Sequence, residues 1–463
     1  MNEKSLKSVH ITNYYHQSSG GISTVYNHLL EEANRHGRKV CLIVPGQEDK
    51  LENVGEFGKI YHVKAAQSPI FDRRYRLLMP WQYLKEDSPI RRILEAEMPN
   101  IIEIADKYTL SFLAGFIKKG GIKSLNRPML IHLTCERMDD NLRAFVSGAK
   151  PFRWLAKTFI GNYVAPMFDY HFANSEYTAA ELLSAVGYDK NENDSEPESN
   201  ICWRYFKASK AVFPESVFVS NCGVDDKIFN IGRRNMDTRR KILRDLGISE
   251  NATVLLYVGR ISPEKNLNLL YQTMRSLIGF YDYDTEKHDY QLLIAGDGPQ
   301  SEWLKNKLLK YAPGHFKFLG HIKDKNDLAT FYANADVFIH PNPREPFGIA
   351  PLEAMASGTP VVAPNSGGVL SYADDENAWV TEPDCMSYFA AIRDIVNNSE
   401  KRERKVKKAL ETVQNFTWEK SFERCFRLYD ELYERFKKRV NIADTETSQV
   451  RGDLANAAGK NPQ

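Results

Sequence analysis

The chain has 463 residues, 42% of them hydrophobic and 26% charged, enough for two or three domains with cores of their own and unlike a collagenous or disordered polymer. Its 62 lysines and arginines meet 60 aspartates and glutamates, a formal charge of +2, so no global basic field points to nucleic acid. Six cysteines lie scattered without a CxxC pair or a metal-ligand spacing, as reduced thiols in a cytosolic protein would.

Met1–Ser8 carries charges but no apolar targeting core or small-residue cleavage site. No window approaches the roughly 18 to 20 apolar residues that cross a bilayer, so a cytoplasmic chain is expected. Val9–Asn13 reads as a strand, Gly20-Gly21 as a turn, and Ile22, Val25, Leu29, Leu30 and Ala33 as the buried stripe of a helix. Strands follow at Val40–Val44, Lys59–Val63, Ile101–Ile104, Met129–Leu133, Tyr170–Ala173 and Val217–Ser220, with helix-length segments between them. This alternation predicts a parallel, doubly wound α/β sheet. The polar stretch of about 189–200 reads as an insertion.

The alternation restarts at Val254–Val258, Gln291–Ala295, Phe316–Leu319, Val337–His340 and Pro360–Val362. We therefore expect one domain over 1–225 and a second over 226–415. Trp418, Phe422, Cys425, Phe426, Leu428, Tyr429, Leu432 and Phe436 mark an amphipathic helix over 416–440, and 441–463 reads as a frayed tail. Charge is uneven: Lys59–Lys157 holds 18 basic and 10 acidic residues. Aromatics interleave with cations there in Phe71–Leu78 and Lys150–Lys157, a pattern that suits an anionic membrane surface and equally a solvated face with inward aromatics.

The segment Asp336–Gly368 carries the most chemistry. Glu345 and Glu353 are separated by seven residues, and Pro346 suits the first turn of the helix that would carry Glu353. Both carboxylates can then face one cleft, each able to accept two hydrogen bonds from a vicinal diol. The helix start at Phe347, Gly348 and Ile349 would favour a diphosphate. A second segment, Tyr257–Asn266, ends a strand and puts Arg260 and Lys265 at a helix entrance, where cations can stabilise a leaving group that gains negative charge.

On these residues, with Ala354–Ala363 after them, the chain resembles the retaining glycosyltransferases of family 4. The resemblance covers nearly the whole chain and implies the GT-B fold, two Rossmann-like domains facing across a cleft with a C-terminal helix crossing back. It implies that Glu345 contacts the donor sugar, Glu353 the nucleotide ribose, and Arg260 and Lys265 the diphosphate. It further implies that Gly20 and Gly21 lie near the donor phosphates and that backbone at Gly320, His321 and Ile322 holds the base. A histidine aimed at the donor sugar is expected in the first domain. His132 is the candidate, although aligning Glu136-Arg137-Met138-Asp139 with a common variant puts Cys135 at that place.

No metal or other cofactor is required on this reading. Asp282-Tyr283-Asp284 spells the metal-binding pattern of a different fold and falls in a polar connection, where chance explains it. The implied donor is a GDP- or UDP-sugar. Asp106-Lys107-Tyr108 and Glu136-Arg137-Met138-Asp139 lean the resemblance towards bacterial mannosyltransferases and hence GDP-mannose, with a lipid, lipid-linked saccharide or polysaccharide as acceptor. The resemblance further implies transfer with retention of anomeric configuration. A nucleotide-sugar epimerase of similar architecture and a non-catalytic nucleotide-sugar sensor are the alternatives.

Overall fold

A computed structural model describes residues 6–16, 21–68, 75–145, 149–188, 200–279 and 289–458. Hydrophobic runs dictate two sheets. The first contains β1 (Lys7–Ile11), β2 (Lys39–Gly46), β3 (Lys50–Val54), β4 (Gly58–Lys64), β7 (Ile101–Ile104), β8 (Met129–Thr134), β9 (Tyr170–Ala173) and β10 (Val217–Val219); β5 (Ala66–Gln67) and β6 (Arg76–Leu77) form a separate short ribbon. Their order is β10-β9-β8-β7-β1-β2-β4-β3. All neighbours run parallel except β3, an antiparallel edge strand on β4. The second sheet takes β11 (Thr253–Val258), β12 (Tyr290–Ala295), β13 (Phe316–Gly320), β14 (Val337–Ile339), β15 (Val361–Pro364) and β16 (Trp379–Thr381) in the order β13-β12-β11-β14-β15-β16.

Both orders reverse direction beside a central strand. The reversal falls between β1 and β7 in the first sheet and between β11 and β14 in the second. At such a point the loops leaving adjacent strands diverge to opposite faces and open a crevice at the carboxyl ends. The loop after β11 carries Arg260 and Lys265, and the loop after β14 carries Glu345. Topology alone therefore brings these three residues to one crevice.

The chain passes between the domains twice, at Gly223–Val224 and at Phe416–Trp418, and the passages are bonded to each other. Val224 N–H donates to the Phe416 carbonyl at 2.8 Å, and Trp418 N–H donates to the Val224 carbonyl at 3.2 Å. A Cβ on Gly223 would stand 2.6 Å from Trp418 N, so only glycine fits between the strands of this crossing. The helix Trp418–Ala458 then lies on the first sheet. Trp418, Phe422, Phe426, Tyr429, Leu432 and Phe436 share a buried cluster with Leu42, Ile101, Ile131 and Phe172, at about 1.5–3 kcal/mol for each fully buried large side chain. Tyr433 accepts from Asn100 Nδ2 at 3.1 Å, and Tyr429 donates to Glu103.

Two expectations need amendment. The helix carrying Glu353 spans Ile349–Ala356, so Pro346 precedes it: Gly348 takes a left-handed φ of 90° and breaks the helical path first. Backbone beyond Val440 stays helical to Ala458 rather than leaving the helix as a tail, because the alanines, Glu446, Gln449, Arg451 and Leu454 there are compatible with a helix even where apolar spacing stops. Asp282-Tyr283-Asp284 and Gly20 lie outside the described residues, as does part of Phe71–Leu78. Among the described residues no helix is long and apolar enough to cross a membrane.

Candidate active site

The centre of the crevice is an ion pair. Lys265 Nζ donates to both carboxylate oxygens of Glu345, at 3.0 and 2.8 Å, and Asn342 Nδ2 donates to Glu345 Oε2 at 2.9 Å. Burial alone would raise the Glu345 carboxyl, but Lys265, His340 and the Asn342 amide together hold it down at about 2. Glu345 is thus an ionised, acceptor-only group. Burial likewise opposes the Lys265 ammonium, which Glu345 keeps charged, while Arg260 is near enough to act against it. Two cations and one carboxylate therefore converge. His340 itself is driven down to about 4, chiefly by burial, and is neutral at pH 7.

Loop conformation sets this geometry. Asn266 adopts a left-handed φ of 53° and its amide donates to the Pro341 carbonyl at 2.9 Å, tying the Lys265 turn to the Glu345 loop. Gly368 N–H donates to the Glu345 carbonyl at 2.6 Å. A Cβ on Gly368 would come 1.9 Å from the Pro346 carbonyl oxygen, so a glycine is needed for that close approach. Tyr372 donates to the Gly348 carbonyl. No side chain caps the helix that Gly348 opens, which leaves its first amides free to meet an anion.

Glu353 sits within that helix under different conditions. Burial pushes its carboxyl up to about 7, against the lowering effects of Tyr332 and Lys325. Tyr332 donates to Glu353 Oε2 at 2.9 Å. Tyr372 is near enough to both glutamates to feel the charge of each, which with its burial raises its hydroxyl well above the usual range.

Two contacts cross from the first domain to the Glu345 loop. Ser175 caps the helix Glu176–Val186, accepting from Thr178 N–H, and its hydroxyl also donates to the Pro346 carbonyl. Arg344 Nε stands 3.5 Å from Asp140 Oδ1. Asp140 also accepts from Tyr177, and Arg137 lies 4.4 Å over the Tyr177 ring. Behind them, Lys107 and Glu181 form a buried pair at 2.8 Å, and Glu181 accepts the amides of Met138 and Asp139, fixing the helix start that presents Asp140.

The remaining candidates fall in several places. Gly21 begins the helix Gly21–Arg35 and is exposed, with nothing within 4 Å of an added Cβ. Gly320 ends β13 with φ 67°, and its carbonyl accepts Gly296 N–H at 2.8 Å; His321 and Ile322 follow in the loop that leaves this edge strand. Phe347 is turned into the core against Tyr372, with ring centroids 5.2 Å apart, so only its backbone is left for a ligand. Ile349 packs in the apolar clusters beneath the cleft.

His132 does not join Glu345. It is fully buried within β8, its Nδ1 3.3 Å from Nδ1 of His171 and its ring 5.0 Å from Phe168. Burial drives its imidazole well below the usual range. Strand alternation puts it on the same face of the strand as Leu130, a residue of the first domain's apolar core. Cys135 lies just past the end of β8, where its carbonyl accepts from Asn174 Nδ2 at 3.3 Å. Asn342, Arg344, Asp140 and Tyr332 were not singled out from sequence; the i, i+3 spacing of Asn342 and Glu345 was the one local signal available.

Residues 238–412 match the model of the family "Glycosyl transferases group 1". The chain is 28% identical over 422 residues to a GDP-mannose-dependent alpha-(1-6)-phosphatidylinositol dimannoside mannosyltransferase of Mycobacterium tuberculosis, covering 90% of this chain and 94% of the relative. It is 24% identical to a GDP-mannose-dependent alpha-mannosyltransferase of Corynebacterium glutamicum, over 77% of this chain and 71% of the other. Sucrose-phosphate synthase of Thermosynechococcus elongatus superposes with a TM-score of 0.66 at 19% identity, over 93% of this chain and all of that one, a likeness of fold. The likeness to the glycosyl transferases of group 1 is thus carried by residues 238–412, within the second domain, and the two facing sheets have the GT-B fold.

Proposed function

We propose that the protein is a retaining hexosyltransferase that takes its sugar from a nucleotide diphosphate sugar, GDP-mannose in preference to UDP-sugars, and passes it to a hydroxyl of a lipid, lipid-linked saccharide or polysaccharide. The observation that carries this reading is the clamp of Lys265 on the ionised Glu345 at the switch point of the donor-side sheet. An acceptor-only carboxylate suits the hydroxyls of a sugar, and the adjacent cations suit the diphosphate. As the glycosidic bond breaks, charge grows on the departing phosphate. Lys265 and Arg260 then stabilise the transition state more than the ground state. Glu353 would accept the ribose diol, and the uncapped helix start at Gly348 would face the phosphates. The names of the two mannosyltransferase relatives support GDP-mannose, and a lipid acceptor fits a cytoplasmic enzyme peripheral on the inner face of the cell membrane.

The test is a panel of GDP-, UDP- and ADP-sugars read by thermal shift and by donor hydrolysis together. GDP-mannose should give the largest shift and slow hydrolysis, and both should be lost in Glu345→Ala with the melting curve otherwise intact. Equal turnover by that variant would overturn the site. Interconversion of the donor sugar without acceptor would replace transfer by epimerisation.

A further inference from the structure

One surface of the first domain lacks acidic residues across three separate stretches of chain. Phe112–Arg127, Ala149–Val164 and Asn200–Val212 contain lysines and arginines but neither aspartate nor glutamate. The fold joins them. The helix Lys150–Phe159 runs directly into a π-helical turn, Ile160–Val164. The short helix Ile201–Tyr205 is fastened to that turn by Trp203, whose indole N–H donates to the Gly161 carbonyl at 2.9 Å. Lys119, from the first stretch, reaches the same helix, its ammonium 4.1 Å over the Tyr205 ring and donating to the Tyr205 carbonyl at 2.6 Å.

Large apolar side chains point outward along this strip. Trp154 is 65% and Ile201 75% exposed, and Leu155, Tyr163 and Tyr205 are exposed as well. Exposed Arg153, Arg204 and Lys207 lie on the same two helical stretches. Anchored aromatics and aliphatics interleaved with cations, with no acid in the same three stretches, match a surface that is apolar just below an anionic plane. A protein partner would need both an apolar seat and an acidic rim; a bilayer of anionic lipid supplies both without a specific fold. We propose that this strip is the docking face for an anionic lipid bilayer.

Its position is useful to a lipid acceptor. The helix Lys150–Phe159 packs on the helix Met138–Phe145, and that helix reaches residues 263–265 of the donor-side domain. The docked face would thus adjoin the mouth of the cleft. The proposal stands apart from the donor chemistry, since none of its residues touches Glu345, Lys265 or Glu353.

The experiment is flotation of the full chain with vesicles of equimolar phosphatidylglycerol and phosphatidylcholine, against vesicles of phosphatidylcholine alone, at low and high salt. Binding should require phosphatidylglycerol and weaken with salt. Arg153→Gln with Arg204→Gln and Lys207→Gln should lower the partition coefficient by roughly tenfold or more, and Trp154→Ala with Ile201→Ala by a similar factor. These side chains are exposed, so melting curves and donor hydrolysis should not change, which separates loss of docking from loss of catalysis. Absence of flotation, or flotation undiminished in both sets of variants, overturns the proposal. So does self-association in light scattering that the same substitutions abolish, which would assign the strip to a second copy.

Discussion

Glu345 and Glu353 are the same residue type eight positions apart, yet their carboxyls are driven in opposite directions, one down to about 2 and the other up to about 7. Both lose water. Glu345 recovers a lysine and an amide, whereas Glu353 recovers one tyrosine hydroxyl. Partner charge, not burial, decides the outcome. The comparison assigns work accordingly: a permanently ionised group where the sugar would react, and a group of adjustable charge where the nucleotide would be held.

The comparison breaks first at Glu345. Glu345→Ala removes the acceptor and leaves Lys265 without its carboxylate, so transfer should fall by about a thousandfold or more, the scale of losing a preorganised transition-state contact. Steady-state transfer from the preferred donor measures it. Lys265→Ala should cost about a hundredfold in kcat, and Glu345, left partly buried without its cation, should lower thermal stability by about 2 kcal/mol. If Lys265→Ala reduced donor affinity alone and left kcat unchanged, uniform binding would replace leaving-group stabilisation.

A smaller effect tests whether the first domain helps to hold Glu345. Asp140→Asn and Arg344→Gln each disrupt the contact that crosses the cleft beside the Glu345 loop. Each should lower kcat roughly tenfold, and the double variant should lose little more, because one contact is removed twice. Donor affinity measured by calorimetry should stay near the parent value. Fully additive losses would show that the two residues act separately.

Much of the scaffold was legible because parallel strands buried on both faces leave continuous hydrophobic runs, as at Val254–Val258 and Met129–Leu133. The strand Lys50–Val54 was missed for the converse reason: it is an edge strand whose side chains face solvent, so its sequence carries no buried pattern. The pairing of Glu345 with Lys265 was visible only as two segments of suitable chemistry; their contact depends on the order of β11 and β14, which local periodicity does not encode. His132 shows the other limit. A histidine one residue from the end of an apolar run reads the same whether strand alternation points it into the core or towards the cleft, and here Phe168 and His171 receive it. The near-zero net charge concealed the acid-free strip, since a sum over the chain contains no positions.

The finest test uses pH. Glu353 titrates at about 7, far above an unfolded glutamate, so folding favours its protonated form. Its contribution to stability is therefore fully present below the unfolded value near 4.3 and is lost as pH rises through 7. Donor binding should run the other way: the ionised carboxylate accepts both hydroxyls of a ribose, and the protonated acid gives up one of those acceptor sites. Between pH 6 and pH 8, donor affinity should rise by a few-fold, at most about tenfold, while the melting temperature of the donor-free protein falls. Glu353→Gln has no proton to exchange and should flatten both curves. Parallel rather than opposed trends would mean that Glu353 senses pH without touching the donor, and the division of work between the two glutamates would then rest on Glu345 alone.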